Sequence, residues 1–220
     1  MPEWNELFLQ KEFRWNQPAP ELVQAVEQLD WPEPATRRVL DLGCGAGRHC
    51  AWLAARGYQV YGTDIAENGL RFTQERLEHA GLRAELQLAD MSTIPWPDAF
   101  FDLIVSHDVI HHNRLEVIQR CVGEIARTLK PGGHLYLSLK SASDSSYGSG
   151  QPLEAHTFVP QAGHEAGIPH HFFDRGRLQQ LLTGFRLLNL HEKNIHFHLR
   201  KGEEIEGVNS HWVLLAVKNQ

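Results

Sequence analysis

The stretch VLDLGCGAGRH, residues 39–49, carries three glycines at alternate positions between an apolar run and a helical pattern. The apolar run predicts a buried strand, and the pattern from residue 47 predicts a helix that ends near Gly57. Glycines at such a turn let a ligand approach the backbone and the first N–H groups of the helix. We therefore predict that Gly43, Gly45 and Gly47 form a ligand-binding loop.

An acidic residue, Asp64, ends the next predicted strand, YQVYGTDI, 64 − 43 = 21 residues after the first glycine. At this spacing an acid accepts hydrogen bonds from the hydroxyls of a ribose. The alternative is a tight turn followed by an unrelated surface acid, but both features follow predicted strands, as a nucleotide-binding unit requires. Loop and acid together predict a cofactor that contains a nucleoside, and they leave a nicotinamide cofactor and S-adenosylmethionine both open.

Short apolar runs alternate with helical periods from Arg37 to about Ser141, which is typical of β-α-β units. Further strands are predicted at residues 84–90, 100–109 and 134–141, and a hairpin is predicted from HFHL and HWVLLAVK near the C-terminus. A helical stripe precedes LKPGG and consists of Ile118, Cys121, Val122, Ile125 and Leu129. Ligands of such folds bind at the carboxyl ends of the strands.

The size and charge of the chain restrict its class. Its 220 residues, 42% of them hydrophobic, fit one domain over residues 1–220. Lys and Arg number 21 against 27 Asp and Glu, a net charge of −6 that opposes binding to nucleic acid. Three cysteines without a CxxC pair, no run long enough to cross a bilayer and no signal peptide predict a cytoplasmic protein that does not bind membranes. Composition leaves the oligomeric state open.

Two segments stand outside the alternating pattern. Residues 1–35 are helical in pattern and too few for a domain, so we interpret them as an N-terminal cap segment. Residues 141–173 form a long, Ser- and Gly-rich insertion, and connections of this length are commonly lids or binding loops. Asp174 then predicts the N-cap of a short helix.

Several motifs in order resemble those of the class I S-adenosylmethionine-dependent methyltransferases. They are DLGCGAGRH, GTDI, LAD before MSTIPWPDAFFDLIVS, and LKPGG before a strand, and they extend from about Arg37 to Ser141. The GRH ending of the loop and the region from YGSG to PHHFF are similar, more narrowly, to small bacterial methyltransferases of the tellurite-resistance type. This resemblance implies an α/β, Rossmann-like, doubly wound seven-stranded sheet, mostly parallel with an antiparallel C-terminal hairpin and with helices on both faces.

The resemblance also implies S-adenosyl-L-methionine as the cofactor. The glycine loop and Asp41 would follow its methionine and ribose portions, Asp64 would hold the ribose hydroxyls, and Ser106 and His107 would border the methionine. Asp90 would accept from the adenine amine while Met91 packs on the ring. For two of these residues a simpler role is open: Asp41 as a cap of the loop and Asp90 as a helix cap.

Histidines are the candidates for the acceptor side. His111 follows the fourth strand and could remove a proton from the acceptor, because imidazole suits general-base work near neutral pH. His170 or His171 would line the acceptor pocket, while Phe172 and Phe173 close the segment 141–173 over the cofactor. Trp15 is a further candidate for covering the opening.

A metal site is the less favoured interpretation of the histidine pairs. Adjacent residues on an extended segment point to opposite sides, so His111 with His112, or His170 with His171, would not bind one ion together. The two pairs could still meet across the opening and hold a metal with Asp108. Their spacing matches no known ligand motif, and we predict no metal.

We conclude that the sequence predicts an S-adenosylmethionine-dependent methyltransferase that acts on a small-molecule acceptor through N, O, S or a metalloid. Methyl transfer is an in-line displacement that needs alignment more than a cofactor metal. The alternatives are a non-catalytic S-adenosylmethionine-binding module and a nicotinamide-dependent oxidoreductase. The oxidoreductase lacks support because no Tyr-x-x-x-Lys follows the fourth strand.

Overall fold

The computed structural model describes residues 4–201 and 203–219, without the side chains of 198–201 and 203–205. The strands are β1 (Arg38–Leu42), β2 (Gln59–Asp64), β3 (Glu85–Leu88), β4 (Phe101–His107), β5 (Leu129–Lys140), β6 (Gln151–Glu154), β7 (Thr157–Val159), β8 (His170–His171), β9 (Phe185–Lys201) and β10 (Glu203–Lys218). The α-helices are α1 (Trp4–Leu7), α2 (Pro20–Glu27), α3 (Arg48–Ala55), α4 (Glu67–His79), α5 (Leu115–Thr128) and α6 (Arg175–Leu181).

Seven strands form one sheet in the order β3-β2-β1-β4-β5-β10-β9. The pairs β1 with β2, β1 with β4, β2 with β3 and β4 with β5 are all parallel. Strand β10 runs antiparallel to both β5 and β9, so the last two strands form a hairpin at one edge of the sheet. The order reverses between β1 and β4, which is where ligands bind in doubly wound sheets.

Alternate residues of β1 pack into two separate cores, one on each face of the sheet. Helices cover both faces and bury these two cores. Leu40 belongs to the cluster that includes the apolar stripe of α5, whereas Val39 packs with residues of α2 and α3 such as Leu22 and Leu53. All four side chains named are completely buried, and each buried side chain of this kind stabilises the fold by about 1.5–3 kcal/mol. The predicted fold class is confirmed.

The boundary between α5 and β5 differs from the prediction. Leu129 continues the helical stripe in the sequence, but its backbone is extended, and it pairs with Phe101 as the first residue of β5. The side chain still joins the same core as Ile118 and Ile125. Leu129 thus has the spacing of a helical core residue in the sequence, although it lies in a strand directly after the helix.

The segment 141–173 has more regular structure than the predicted loop. Strands β6, β7 and β8 form a small antiparallel sheet, and Ser141 bridges to Phe173, so the two ends of the segment are side by side. Asp174 then caps α6 as predicted, accepting a 2.8 Å hydrogen bond from Arg177 N. Strands of two to four residues carry too little periodicity to be recognised in a sequence rich in Ser and Gly.

The N-terminal segment is bound to α4 and to the glycine loop. Asn5 Oδ1 accepts from Asn68 N at 2.8 Å, and Arg76 donates to the carbonyls of Trp15 at 2.9 Å and Ala46 at 2.8 Å. These contacts hold the first helix over the carboxyl ends of β1 and β2. Within the described ranges, helices that combine the length and apolarity needed to cross a membrane are absent.

Candidate active site

A cavity of about 440 Å³ opens at the carboxyl ends of the central strands. One end is formed by the glycine loop and by Asp64, Asp90 and Met91, which follow β2 and β3. The other end is rich in histidine and polar side chains: His107, Asp108, His111, His112, Asn113, Lys140, Glu165, Asn209 and His211. The structure therefore joins the predicted nucleoside end and the predicted acceptor end in a single space.

The glycine loop has a backbone that requires glycine. Gly43, Gly45 and Gly47 have φ angles of +76°, +53° and +76°, a region that other residues rarely adopt. A Cβ atom at Gly43 would lie 2.4 Å from a methyl carbon of Val109, and one at Gly47 would lie 2.9 Å from the Thr73 backbone. Gly43 and Gly45 line the cavity, whereas Gly47 packs against α4 as the N-cap of α3.

Asp64 stands at the end of β2 as predicted and lines the cavity. Its Oδ2 accepts from Gly45 N at 2.7 Å and its Oδ1 from Ala66 N at 2.8 Å. Burial raises the pKa of Asp64, and these backbone N–H groups oppose the rise. Each oxygen keeps a further lone pair, so the carboxylate can still accept from the two hydroxyls of a ribose.

Asp41 and Ser106 lie behind the cavity wall. The Asp41 side chain is 1% exposed, accepts from Cys50 Sγ at 3.4 Å, and has a pKa raised to about 6 by burial. Ser106 is completely buried, and its hydroxyl donates to Leu42 O at 3.1 Å. These contacts fit the simpler role of Asp41 in supporting the loop and give Ser106 the same role between β4 and β1.

Asp90 and Met91 lie at the end of the cavity next to β3. Asp90 is exposed, and its Oδ1 accepts from the backbone N of Ser92 at 2.8 Å and from the Ser92 hydroxyl at 2.6 Å. Both of these hydrogen bonds use Oδ1 and none of them uses Oδ2. Met91 packs against the core cluster of α5, which leaves one side of its side chain in the cavity wall.

Asp108 holds the centre of a polar cluster directly after β4. Its Oδ2 lies 3.2 Å from His107 Nε2, its Oδ1 lies 3.6 Å from His211 Nε2, and it accepts a short hydrogen bond from Ser138. Burial opposes its charge, but the His107 and His211 imidazoles hold the pKa of Asp108 well below its usual range. The 39% of the side chain that is accessible faces the cavity.

The Asp108 backbone is strained, with φ at +57° in the left-handed region. Outside glycine this conformation costs about 1–2 kcal/mol, and it turns the chain so that Asp108 and the following residues enter the cavity. Such outliers concentrate at functional sites because the surrounding structure must hold them.

His111 and His112 lie in a turn, closed by the hydrogen bond from His112 N to Val109 O at 3.1 Å. The expectation that they point to opposite sides was wrong, because it assumed an extended segment: their ring centroids are 4.1 Å apart. Burial and the neighbouring His112 lower the pKa of His111 well below its usual value, and burial lowers the pKa of His112 to about 4. Both imidazoles are therefore neutral near pH 7.

His170 and His171 lie on the two faces of β8, as alternation along a strand requires. His170 is not among the residues that line the cavity, contrary to the expectation, but it contacts His112 of the cavity wall, with ring centroids 4.8 Å apart. His171 turns away: its Nδ1 lies 2.6 Å from the Thr157 hydroxyl, and its backbone N–H donates to His111 O at 2.8 Å. The side chain of His171 thus anchors the small sheet instead of lining the acceptor pocket.

Phe172 and Phe173 also occupy positions other than those expected. Both are 1% exposed. Phe173 packs in the main core, and its carbonyl accepts from Trp212 Nε1 at 2.8 Å. Phe172 packs against Tyr147 and Phe158 inside the segment 141–173. Both rings therefore attach the segment 141–173 to the rest of the domain, and neither closes over the cofactor. Burial of an aromatic ring in an apolar core is more favourable than its exposure at the opening of a cavity.

Several residues that line the cavity were not predicted from the sequence. The N-terminal segment contributes Trp4, Phe8 and Phe13 besides Trp15, which stacks on Arg48 at 5.0 Å. Glu165 comes from the segment 141–173, and Asn209 and His211 come from β10. In a short helical segment, aromatic residues are usually interpreted as ordinary packing residues. No local sequence pattern indicates that Glu165 lines a cavity. The signal for Trp4 and Phe8 is their spacing of four, which places them on one helical face.

The fold and the cavity define a class of protein: a doubly wound, Rossmann-like domain with a nucleoside-binding loop at its switch point. Residues 40–137 match the family model described as methyltransferase domain. Residues 40–137 are therefore a methyltransferase domain, and the solved structures that share the fold include a SAM-dependent methyltransferase and a methyltransferase with bound SAM. The predicted family and cofactor are confirmed.

Two solved structures share the fold over most of the chain. A methyltransferase described as SAM-dependent, from Methanosarcina mazei, has a TM-score of 0.72 and 24% identity, with 92% of this chain and 99% of that chain covered. TehB from Haemophilus influenzae has a TM-score of 0.67 and 21% identity, with 90% of this chain and 62% of that chain covered. At these identities the likeness concerns the fold.

Among curated proteins, the methyltransferase GfsG of Streptomyces halstedii is 37% identical over 119 residues. That match covers 52% of this chain and 41% of GfsG. Matches to the first curated relatives span between 25% and 60% of their lengths. This chain therefore matches only part of each of these relatives.

Proposed function

We propose that this protein transfers the methyl group of S-adenosylmethionine to a small-molecule acceptor bound at the histidine-rich end of the cavity. One observation carries the proposal: the glycine loop with Asp64 and the group around His111 line the same cavity of about 440 Å³. A donor seated on the loop and an acceptor seated among the histidines would meet in this space. The volume is within the range of ordinary small-molecule sites.

In this proposal the donor lies along the carboxyl ends of β1, β2 and β3. Asp64 accepts from the ribose hydroxyls, the free oxygen of Asp90 accepts from the adenine amine, and Met91 packs on the adenine. His107 and the backbone of Gly43 and Gly45 border the methionine portion. This arrangement directs the methyl group towards the turn that follows β4.

The chemistry at the acceptor end follows from neutral imidazoles. Methyl transfer from a sulfonium needs an acceptor lone pair in line with the breaking S–C bond, so alignment is the main task of the protein. His111 is neutral near pH 7, so a ring nitrogen can accept a hydrogen bond from a hydroxyl or amine of the acceptor and orient its lone pair, whereas its lowered pKa makes it a weak base for taking the proton itself. The net charge of −6 favours a small molecule over nucleic acid as the acceptor.

Two segments would serve as covers of this site. We infer that residues 1–35 act as a cap over the donor end, supported by Phe8 and Trp15 in the cavity wall. We infer that the segment 141–173 acts as a lid over the acceptor end, supported by Glu165 in the cavity wall and by the contact of His170 with His112. Together with the central sheet they would make residues 1–220 one functional domain.

Calorimetric titration with S-adenosyl-L-homocysteine tests the donor site. We expect binding to the native protein, at least tenfold weaker binding to the Asp64→Ala variant, and unchanged binding to Asp98→Ala, whose side chain is 79% exposed. NAD should not bind. Equal affinities for the native protein and Asp64→Ala would contradict the donor assignment.

Transfer of a labelled methyl group tests the acceptor class. The protein is incubated with S-adenosylmethionine labelled in the methyl group and with either a small-metabolite extract or purified RNA. We expect label in the metabolite fraction. Label in RNA alone would overturn the small-molecule proposal, and donor binding without transfer to either fraction would make the protein a non-catalytic binding module.

A further inference from the structure

Three potential metal ligands from separate parts of the chain meet at the acceptor end of the cavity. His112 comes from the turn after β4, Glu165 from the connection between β7 and β8, and His170 from β8 itself. One ligand atom from each lies within 4.8 Å of the other two. His170 Nε2 is 3.1 Å from Glu165 Oε2. The sequence prediction paired the same histidine motifs with Asp108, whereas the structure brings Glu165 to them.

One polar atom of this cluster is buried without a partner. Within the described part of the chain, His112 Nδ1 has no hydrogen-bond partner. His170 Nε2 lies at ion-pair distance, 3.1 Å, from Glu165 Oε2. A buried polar atom left unsatisfied costs about 1–3 kcal/mol, so the unpartnered nitrogen of His112 next to the His170–Glu165 pair favours an electrophile at this place.

The donor set suits a transition-metal ion. Two imidazoles and one carboxylate bind zinc, iron and related divalent ions, and three protein ligands leave positions open for a further ligand. Ligand atoms at about 2.1 Å from an ion lie about 3.0–3.4 Å apart, so the three side chains would draw together by roughly 1 Å. Glu165 lies in a turn of the segment 141–173, where side-chain rotation permits this movement.

The surroundings stabilise a cation at this place. Asp108 lies nearby in the same cavity wall and carries a negative charge. The ammonium of Lys140, which also lines the cavity, is paired with Asp144 at 3.1 Å. The His112 ring is held between Trp4 and His111, with centroids at 4.9 and 4.1 Å, so its orientation is fixed before an ion arrives.

We propose that His112, Glu165 and His170 bind one divalent transition-metal ion whose open coordination positions face the acceptor end of the cavity. An acceptor that carries an oxygen or sulfur lone pair would bind the ion as an additional ligand. This goes beyond the proposed function, because methyl transfer itself requires no metal. It also stands apart from that proposal, since metal binding is measured without donor or acceptor.

Cobalt titration of the untagged, chelator-treated chain tests the site. We expect a single Co²⁺ ion per chain with visible d–d absorption of low coordination symmetry, competed away by Zn²⁺. The variants Glu165→Gln and His170→Gln should each bind Co²⁺ at least tenfold more weakly. The control His164→Gln, an exposed histidine next to Glu165 in the same segment, should bind like the native chain.

The outcomes separate clearly. Absence of Co²⁺ binding by the native chain, or equal binding by all three variants, would overturn the proposal and leave His170 and Glu165 as an ion pair. S-adenosyl-L-homocysteine affinity is measured on each variant, and an unchanged value shows that the fold is intact. Loss of metal with retained donor binding supports the site, whatever the label-transfer experiment gives.

Discussion

The ring of Phe8 occupies the space into which a side chain at Gly45 would project. A Cβ atom at Gly45 would lie 2.9 Å from two carbons of that ring, closer than van der Waals contact allows. The N-terminal helix is thus fitted to the absence of a side chain in the glycine loop, although the two residues are 37 positions apart (45 − 8 = 37). This contact links the N-terminal segment to the proposed donor site.

The substitution Gly45→Ala should therefore weaken donor binding. Alanine at φ +53° is strained, and its methyl group displaces Phe8 from the cavity wall. We expect at least a tenfold loss of S-adenosyl-L-homocysteine affinity by calorimetry. Gly57→Ala is the matched control: its φ is +86° but the space around it is open, so it should lower the unfolding free energy by about 1 kcal/mol and leave affinity unchanged. Equal affinity losses would show that backbone strain, and not the contact with Phe8, is responsible.

Removing the other partner of this contact gives a second prediction. Phe8→Ala takes an aromatic side chain out of the cavity wall, and we expect about a tenfold weaker affinity for S-adenosyl-L-homocysteine, equivalent to about 1.4 kcal/mol. Leu9→Ala changes the neighbouring side chain, which is 49% exposed, and should have no effect. If Phe8→Ala binds like Leu9→Ala, the N-terminal segment does not cover the donor.

Asp41 should make the stability of the protein depend on pH. Its folded-state pKa is raised to about 6 from an ordinary 3.8, so between these values the folded state holds a proton that the unfolded state has lost. The stability that this proton supplies is present at low pH and is lost as the pH rises from 3.8 to 6. The penalty at pH 8 is of the order of 3 kcal/mol.

Urea unfolding of Asp41→Asn at pH 4 and pH 8 measures this penalty. We expect the unfolding free energy of the variant minus that of the native chain to be larger at pH 8 than at pH 4. At pH 8 the native chain buries a charged carboxylate, whereas asparagine carries no charge to desolvate. Glu33→Gln, at an exposed position, should leave stability unchanged at both pH values. A difference for Asp41→Asn that is the same at pH 4 and pH 8 would contradict a raised pKa.

His171 gives a pH effect of the opposite sign. Burial lowers its pKa to about 4 from 6.5. As the pH falls, His171 therefore binds a proton at a higher pH in the unfolded state than in the folded state. The stability contributed by neutral His171 is present above pH 6.5 and is lost as the pH falls towards 4. We expect its imidazole NMR signal, assigned by its absence from His171→Gln, to titrate near pH 4. A midpoint near 6.5 would mean that the ring is solvated and does not anchor the small sheet.

The sequence predicts the central domain well because its signals are local. The strand ends at Leu42 and Asp64, and the glycine loop between β1 and α3, follow from short-range rules that need no knowledge of the rest of the chain. The apolar stripe of α5 likewise appears directly in the spacing of its residues. Small errors arise only where one element runs into the next, as at Leu129.

The acceptor end is predicted less well because its contacts join distant segments. His112 meets His170 across 58 positions (170 − 112 = 58), through a turn that depends on the left-handed conformation of Asp108. Sequence spacing gives no sign of that turn, so the relative direction of His111 and His112 was wrong. Glu165 belongs to a stretch without periodicity, and its proximity to both histidines follows only from the pairing of β7 with β8.

The part of the chain that matches the methyltransferase family ends at residue 137, while Lys140, Glu165, Asn209 and His211 enter the cavity from beyond it. Part of the acceptor end of the cavity is therefore encoded outside the stretch that matches the family. The family match reports on residues 40–137 alone. It carries little information about these residues at the acceptor end, so a relative with high identity over residues 40–137 can accept a chemically different molecule.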